Sequence, residues 1–241
     1  MKRLSVLAGL LLAAGMTFGQ EIPAGTLLPI MLNTTLDANT DEPGKVIKGR
    51  VEETVPLSWR SYIPAGSKVI GSVLRVSKPN ATSTPELEIK FDRIRVRGRD
   101  IPITTNLRAI ASMMEVFDAQ IPPIQNDEGP RTWVTRKVGA QTLEAEAQRG
   151  LAGERAASGP AEPMNRPSGS KCSGAINRDQ KNALWVFSSE ACGAYGFGDD
   201  LTVAHAGRTE PVGEVVLQGR KNVMVRSGSG LLLRVRSGSS Q

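Results

Sequence analysis

The sequence is poor in aromatic residues, which make up 4% of its 241 residues, and it holds only two cysteines and one histidine. A core with so few aromatic rings must rest on valine, isoleucine and leucine. Two cysteines and one histidine are too few for a structural zinc site. The sequence also lacks a Walker loop, a dinucleotide-binding glycine fingerprint and a His-Glu-x-x-His motif. We therefore expect neither a metal nor a cofactor.

A strong excess of charge of one sign is also missing. The net charge is +6, and it falls to +4 if Lys2 and Arg3 are removed with a leader segment. This mild basic bias gives no argument for nucleic-acid binding.

Long hydrophobic runs are confined to the N-terminus. Two basic residues precede the apolar residues 4–16, and the small residue Gly19 stands before a polar segment that begins at Gln20. The run is shorter than the roughly 20 residues that a membrane helix needs. Its order is that of a cleavable secretory signal, although a buried helix or an uncleaved anchor is the alternative. We expect residues 1–19 to be removed and the mature protein to be periplasmic or extracellular.

Cys172 and Cys192 are the two cysteines. In an exported protein we expect them to form one disulfide, with free thiols or a metal site as the alternatives. The bond would close a loop of about twenty residues and stabilise the fold by roughly 3 kcal/mol.

Alternation of apolar and charged residues predicts strands across residues 22–108. Apolar side chains fall on odd positions in residues 47–57 and 87–91, and then on even positions from Ile94. This change of parity predicts a β-bulge at Asp92 or Arg93. Short strands between glycine and proline clusters are typical of antiparallel sheets, so we expect a mainly β fold, either a barrel or a sandwich.

One five-residue segment occurs twice. Ile22-Pro23-Ala24-Gly25-Thr26 returns as Ile63-Pro64-Ala65-Gly66-Ser67, each time before a run of apolar residues. Proline and glycine in this order suit a tight turn. We expect each copy to form a corner that starts a strand.

The remaining chain divides into three parts. Residues 109–120 have apolar side chains at helical spacing and predict one short helix within a β-barrel-like domain that spans residues 20–139. Residues 140–170 hold few large apolar side chains and predict a long flexible loop or linker. Residues 171–241 predict a C-terminal β segment, with a strand at 184–187, another at 212–217 and a hairpin over 223–235. The sequence leaves open whether this segment joins the first sheet.

Four stretches of turns and strands between residues 22 and 103 resemble the C-terminal β-barrel domain of TrbI-like conjugation proteins, which are core components of type IV secretion channels. The resemblance lies in residues 22–29, 43–55, 63–71 and 97–103. In that family a membrane helix and a proline-rich stretch precede the barrel, and a helical antenna crosses the outer membrane. Here residues 109–120 are too short and polar for the antenna, and nothing after Cys172 matches. The resemblance thus implies a shared β-scaffold rather than a secretion channel. The whole chain also resembles uncharacterised exported proteins of soil bacteria.

Four alternating arginines, Arg93, Arg95, Arg97 and Arg99, would share one face of a continuous strand. Such a row suits a phosphorylated or carboxylated polymer, since guanidinium groups bind both anions with paired hydrogen bonds. The alternative is an ordinary solvated face, or charges that keep a sheet edge from pairing. Three more arginines invite the same interpretation: Arg226, Arg234 and Arg236.

Signals for catalysis are weak. His205 stands with Ser188 or Ser189 and with Asp199 or Asp200 in an order found in hydrolases, but no Gly-x-Ser-x-Gly elbow surrounds either serine. Glu52 and Glu53 are adjacent, so on a strand they would face opposite ways. Five aromatic residues are suited to stacking on sugars: Trp59, Tyr62, Trp133, Trp185 and Tyr195. A chain with few aromatic residues, however, needs most of them in its core or at its rim.

We therefore expect an exported, non-catalytic envelope protein that acts as a structural or interaction module. Its partners would be envelope proteins or anionic envelope polymers rather than nucleic acid. Peripheral association with a membrane is compatible with this expectation. The alternative is an envelope hydrolase or glycan-processing enzyme. The sequence leaves the oligomeric state open.

Overall fold

The computed structural model describes residues 22–80, 83–121, 133–134, 137–139, 145–146, 176, 182–198, 200–204 and 213–236. They form short extended segments and one helix. The strands are β1 (Leu27–Leu32), β2 (Leu36–Asp37), β3 (Val46–Val51), β4 (Val55–Pro56), β5 (Tyr62–Ile63), β6 (Lys68–Ser77), β7 (Glu86–Val96), β8 (Arg99–Pro102), β9 (Thr105–Ala111), β10 (Trp133–Val134), β11 (Ala145–Glu146), β12 (Gly193–Tyr195), β13 (Leu201–Ala204), β14 (Val215–Gly219), β15 (Met224–Val225) and β16 (Gly230–Val235), and the helix is α1 (Met113–Gln120).

Ten of these strands form one sheet, which curves into a nearly closed barrel. Its strand order is β12-β9-β16-β1-β3-β6-β7-β14-β13, and β8 pairs with β7 on the same side as β14. The two end strands, β12 and β13, follow one another along the chain and lie in contact. Neighbours are antiparallel except β9 and β12. The structure confirms the mainly β prediction and favours the barrel over the sandwich.

Alternating aliphatic side chains fill the barrel, as the parity of the sequence predicts. Along β7, Leu87, Ile89 and Phe91 are fully buried, and burial then shifts to Ile94. The register explains the shift, because Gly71 of β6 pairs with Phe91 while its neighbour Ile70 pairs with Arg93. Asp92 is therefore the extra residue of a β-bulge, and this prediction is confirmed.

A second apolar cluster covers the outer face of β1, β9 and β16. Val116 of α1 and Phe187 pack there against small or aliphatic strand residues. Those strand residues are Leu27, Ala109, Ala111 and Leu232. The sheet is thus buried on both faces along this side, because α1 and the segment before β12 lie across it.

The predicted helix is shorter than residues 109–120. Ala109, Ile110 and Ala111 belong to β9 and pair with β16, and the helix starts after Ser112, whose Oγ accepts a hydrogen bond from the N–H of Glu115 at 3.3 Å. The side chain of Ile110 enters the barrel while the two alanines face the outer cluster. Alternate burial on two faces makes this segment a strand, and apolar spacing alone did not separate it from the helix that follows.

Two other predictions are wrong. Residues 184–187 form a turn at Trp185 rather than a strand, and Phe187 makes an isolated bridge to Val138. Residues 223–235 form no hairpin, because β15 pairs with β2 while β16 lies between β1 and β9. This pairing answers the question that the sequence left open, since β13, β14 and β16 belong to the same sheet as β1. The predicted linker, residues 140–170, lies outside the described residues except for β11.

The repeated segment forms the same corner twice. Gly25 and Gly66 have φ angles of 86° and 84°. The N–H of Gly25 donates to the carbonyl oxygen of Val235 at 2.8 Å, and that of Gly66 donates to Val51 at 2.7 Å. One corner starts β1 and the other starts β6, so the predicted role is confirmed.

The second corner lies at the end of the barrel that also carries the β4–β5 hairpin and the β7–β8 turn. Here β3 ends, β6 begins, and the β4–β5 hairpin projects between them. The β7–β8 turn lies at the same end, because Lys68 at the start of β6 pairs with Arg95 near the end of β7. In the described part of the chain, no helix is long and apolar enough to cross a membrane.

Candidate binding surface at one end of the barrel

The four alternating arginines do not share one strand face. Arg93 and Arg95 are exposed on β7, which ends at Val96. Arg97 lies in the two-residue turn that follows, with a φ of 50°, and Arg99 opens β8 on the way back. The arginines therefore spread around the tip of a hairpin instead of forming a straight row.

Their charges are also not equally available. Arg95 donates two hydrogen bonds to Asp100, from Nε to Oδ1 at 2.6 Å and from Nη2 to Oδ2 at 2.8 Å. This pair raises the pKa of Arg95 and lowers that of Asp100, in both cases chiefly through the hydrogen bond. Arg93 lies 3.8 Å from Asp92, whereas Arg97 and Arg99 have no carboxylate within 4.0 Å among the residues described. The hairpin tip is thus the most cationic part of this group.

Arg97 joins the hairpin tip to the loop between β4 and β5. Its guanidinium carbon lies 5.1 Å from the centre of the Tyr62 ring, and that of Arg60 lies 3.6 Å from the centre of the Trp59 ring. Both distances are those of cation–π contacts. Trp59 keeps 82% of its surface exposed and Tyr62 keeps 45%. We call these four residues the aromatic–arginine surface.

A cleft of about 470 Å³ opens between the β4–β5 loop and the residues just before Trp185. Its walls combine aromatic, hydroxyl, amide, cationic and carboxylate groups. They comprise Glu53, Thr54, Pro56, Ser58, Trp59, Arg60, Ser61, Tyr62, Asn182 and Ala183. The volume is typical of small-ligand sites.

Glu53 ties the two walls of the cleft together. Its Oε2 accepts a hydrogen bond from the backbone N–H of Trp185 at 2.6 Å. Trp185 has a φ of 52°, which is unusual for a bulky residue, and Lys137 donates to its carbonyl oxygen at 3.1 Å. Two polar contacts thus hold a strained turn beside the cleft, and backbone strain of this kind often marks functional sites.

Among the described residues that line the cleft, there is no pair of carboxylates like that of a glycosidase. Glu53 is the only acidic residue in its described lining, and Glu52 bonds to Arg50 instead. The two-carboxylate mechanism needs an acid and a base or nucleophile on opposite sides of one bond. The described lining supplies one carboxylate, whereas that mechanism needs two.

The suggested hydrolase residues are only partly described. Ser188 is buried, and its Oγ accepts a hydrogen bond from the N–H of Glu190 at 3.3 Å. The carbonyl oxygen of Ser189 accepts a bond from the buried Arg108 at 3.3 Å. His205 and Asp199 lie outside the described residues, so the triad hypothesis stays untested, and Asp200 alone does not decide it.

The other predicted residues fall elsewhere. Arg226 is exposed at the opposite end of β16 from Arg234 and Arg236. Cys192 is buried beside Tyr195, whose hydroxyl accepts from the N–H of Cys192 at 2.8 Å. Cys172 lies outside the described residues, so the disulfide stays a prediction. Among the residues described, no group of three or more histidine, cysteine or acidic side chains is placed to hold a metal ion.

Sequence reasoning missed the aromatic–arginine surface as a unit. The scarcity of aromatic residues predicts that most of them lie in the core or at its rim, whereas Trp59 and Tyr62 are both exposed. The signal was present in residues 56–62, where a loop of proline, serine and arginine carries two aromatic residues between short strands. Such a loop gives its aromatic side chains few apolar neighbours.

No protein-family model matches this chain, and no curated protein matches it.

Proposed function

We propose that this protein is an exported, non-catalytic module of the bacterial envelope that binds anionic polymers through its aromatic–arginine surface. The contact of Arg60 with the exposed ring of Trp59 is the observation that supports this most strongly. The scaffold would be that of the TrbI-like barrel domain, without the parts that form a channel. The protein would act after its leader is removed, in the periplasm or outside the cell.

The physical basis is the combination of ring faces with guanidinium groups. Trp59 and Tyr62 are two exposed aromatic rings that line one cleft, and aromatic side chains are enriched at contact surfaces. Guanidinium groups bind carboxylate and phosphate with paired hydrogen bonds. Arg60 and Arg97 each lie over a ring that limits their freedom, so less entropy is lost when an anion binds.

Polymer binding can be measured with purified protein on immobilised lipopolysaccharide and on a uronic acid polysaccharide, at low and high salt. We expect Trp59→Ala and the double variant Arg60→Gln/Arg97→Gln to weaken binding about tenfold or more, which corresponds to about 1.4 kcal/mol. Added salt should also weaken polymer binding by the wild-type protein.

Matched controls separate the surface from general charge and hydrophobicity. Arg226→Gln removes an exposed arginine far from the surface, and Phe117→Ala removes an aromatic ring on α1 that is 59% exposed. Both should bind as the wild type does. Equal losses in the surface variants and the controls, or turnover of either polymer, would refute the proposal.

A further inference from the structure

Glu53 places a carboxylate group beside the cationic side chains of the aromatic–arginine surface. One of its carboxylate oxygens, Oε2, is fixed by the N–H of Trp185, and Glu53 makes no other bond to the residues that the structure describes. The side chain is exposed and lines the cleft, so its carboxylate can accept further hydrogen bonds from a ligand. A carboxylate only accepts hydrogen bonds, so its complement in a ligand is a donor.

The charges of the residues around the cleft indicate which chemical class of ligand can supply that hydrogen-bond donor. Arg60 lines the cleft and Arg97 lies over the ring of Tyr62, so a cationic ligand would meet two guanidinium groups. An anionic group next to Glu53 would meet a carboxylate. Neutral hydroxyl groups satisfy both kinds of residue, because a hydroxyl donates to a carboxylate and accepts from a guanidinium.

The aromatic residues indicate what carries the hydroxyls. Trp59 and Tyr62 both line the cleft, and both keep much of their surface exposed. A sugar ring has an apolar C–H face that packs on an aromatic ring and a rim of hydroxyls that point outward. It matches the two chemistries of the cleft in a single ligand.

We infer that the cleft binds a neutral, hydroxyl-rich sugar ring, with Trp59 packed on its apolar face and Glu53 accepting hydrogen bonds from its hydroxyls. This deepens the proposed function and rests on it for the source of the sugar, an envelope glycan. It uses Glu53, which polymer binding by charge does not need. The bond from Trp185 fixes the carboxylate before the ligand arrives, which reduces the entropy lost on binding.

Neutral oligosaccharides test this inference separately from polymer binding. The probes are the N-acetylglucosamine tetramer and cellotetraose, added to purified protein up to roughly 10 mM, which is about ten times a millimolar Kd. Amide chemical shifts and tryptophan fluorescence report binding. We expect at least one tetramer to bind, and we expect Glu53→Gln and Trp59→Ala each to weaken it about tenfold.

The controls distinguish the two proposals. Phe117→Ala should leave tetramer binding unchanged, and so should the double variant Arg93→Gln/Arg99→Gln, which removes charge outside the cleft lining. Tetramer binding without polymer binding would support the inference that the cleft binds a sugar, and it would refute the proposal that the protein binds anionic polymers. Absence of binding by both tetramers, or binding that Glu53→Gln and Trp59→Ala leave intact, would overturn the inference.

Discussion

Arg95 and Asp100 face each other across the β7–β8 hairpin and share two hydrogen bonds of 2.6 and 2.8 Å. The pair closes the hairpin just below its turn, and that turn places Arg97 over the ring of Tyr62. One arginine of the group therefore has a local structural role, while its neighbour reaches the candidate binding surface. The salt bridge between Arg95 and Asp100 thus holds the hairpin that carries Arg97, although neither of the two residues belongs to the aromatic–arginine surface.

The pKa of Asp100 tests this pair. It should lie below the ordinary value of 3.8, chiefly because Arg95 hydrogen-bonds to the charged carboxylate. A lowered carboxyl pKa means that the pair stabilises the fold above the ordinary value, and that this contribution is lost as pH falls through the folded value. An NMR titration should show the Asp100 midpoint rising in Arg95→Gln. An unchanged midpoint would mean that the pair does not form in solution.

The pKa of Glu214 should shift upward, in the opposite direction to that of Asp100. Partial desolvation, followed by the charge and hydrogen bond of Glu88, raises its pKa above the ordinary 4.5. The folded state then holds its proton when the unfolded chain has released it, so this group lowers stability as pH rises from 4.5 through the folded value. Glu214→Gln should flatten that fall in urea unfolding measured at several pH values. A fall that stays the same in the variant would contradict the assignment.

Gly25 and Gly66 should be equally sensitive to substitution. Both have a φ near +85°, where an added Cβ costs about 1–2 kcal/mol, although neither has a heavy atom within 4 Å of that Cβ. Gly25→Ala and Gly66→Ala should each lower the free energy of unfolding by about that amount in urea melts. Ala65→Ser, at a position without a positive φ, is the control. A cost at one glycine alone would show that the two corners are not equivalent.

The disulfide prediction can be checked by counting thiols. If Cys172 and Cys192 are paired, the denatured protein has no reactive thiol until it is reduced, and reduction lowers the free energy of unfolding by roughly 3 kcal/mol. Mass spectrometry after alkylation gives the count. Two alkylated cysteines in the unreduced protein, purified from an oxidising compartment, would refute the pairing.

Local patterns predicted the parts of this fold that local rules govern. The change of parity at Asp92 located a bulge, and two Pro-Ala-Gly corners located the starts of β1 and β6. Each depends on backbone preferences of a few residues. The same rules separated strand from helix poorly at Ala109–Ala111, because burial on two faces resembles the apolar spacing of a helix.

Long-range pairing set the features that the sequence did not reveal. β16 lies between β1 and β9, far from both along the chain, so its neighbours could not be read from a nearby turn. The cleft also depends on a long-range contact, since Glu53 and Trp185 are 132 residues apart along the chain and share a hydrogen bond in the folded protein. Four alternating arginines were visible in the sequence, but the turn at Arg97 decided which of them reaches an aromatic ring.

The most direct test of the account is the location of the amide chemical-shift changes when a soluble acidic oligosaccharide is added to the labelled protein. We predict that they centre on Trp59, Arg60, Tyr62 and Arg97 and weaken with added salt. Changes centred on α1 or on β13 and β14, or no changes at all, would contradict the claim that the aromatic–arginine surface binds anionic polymers.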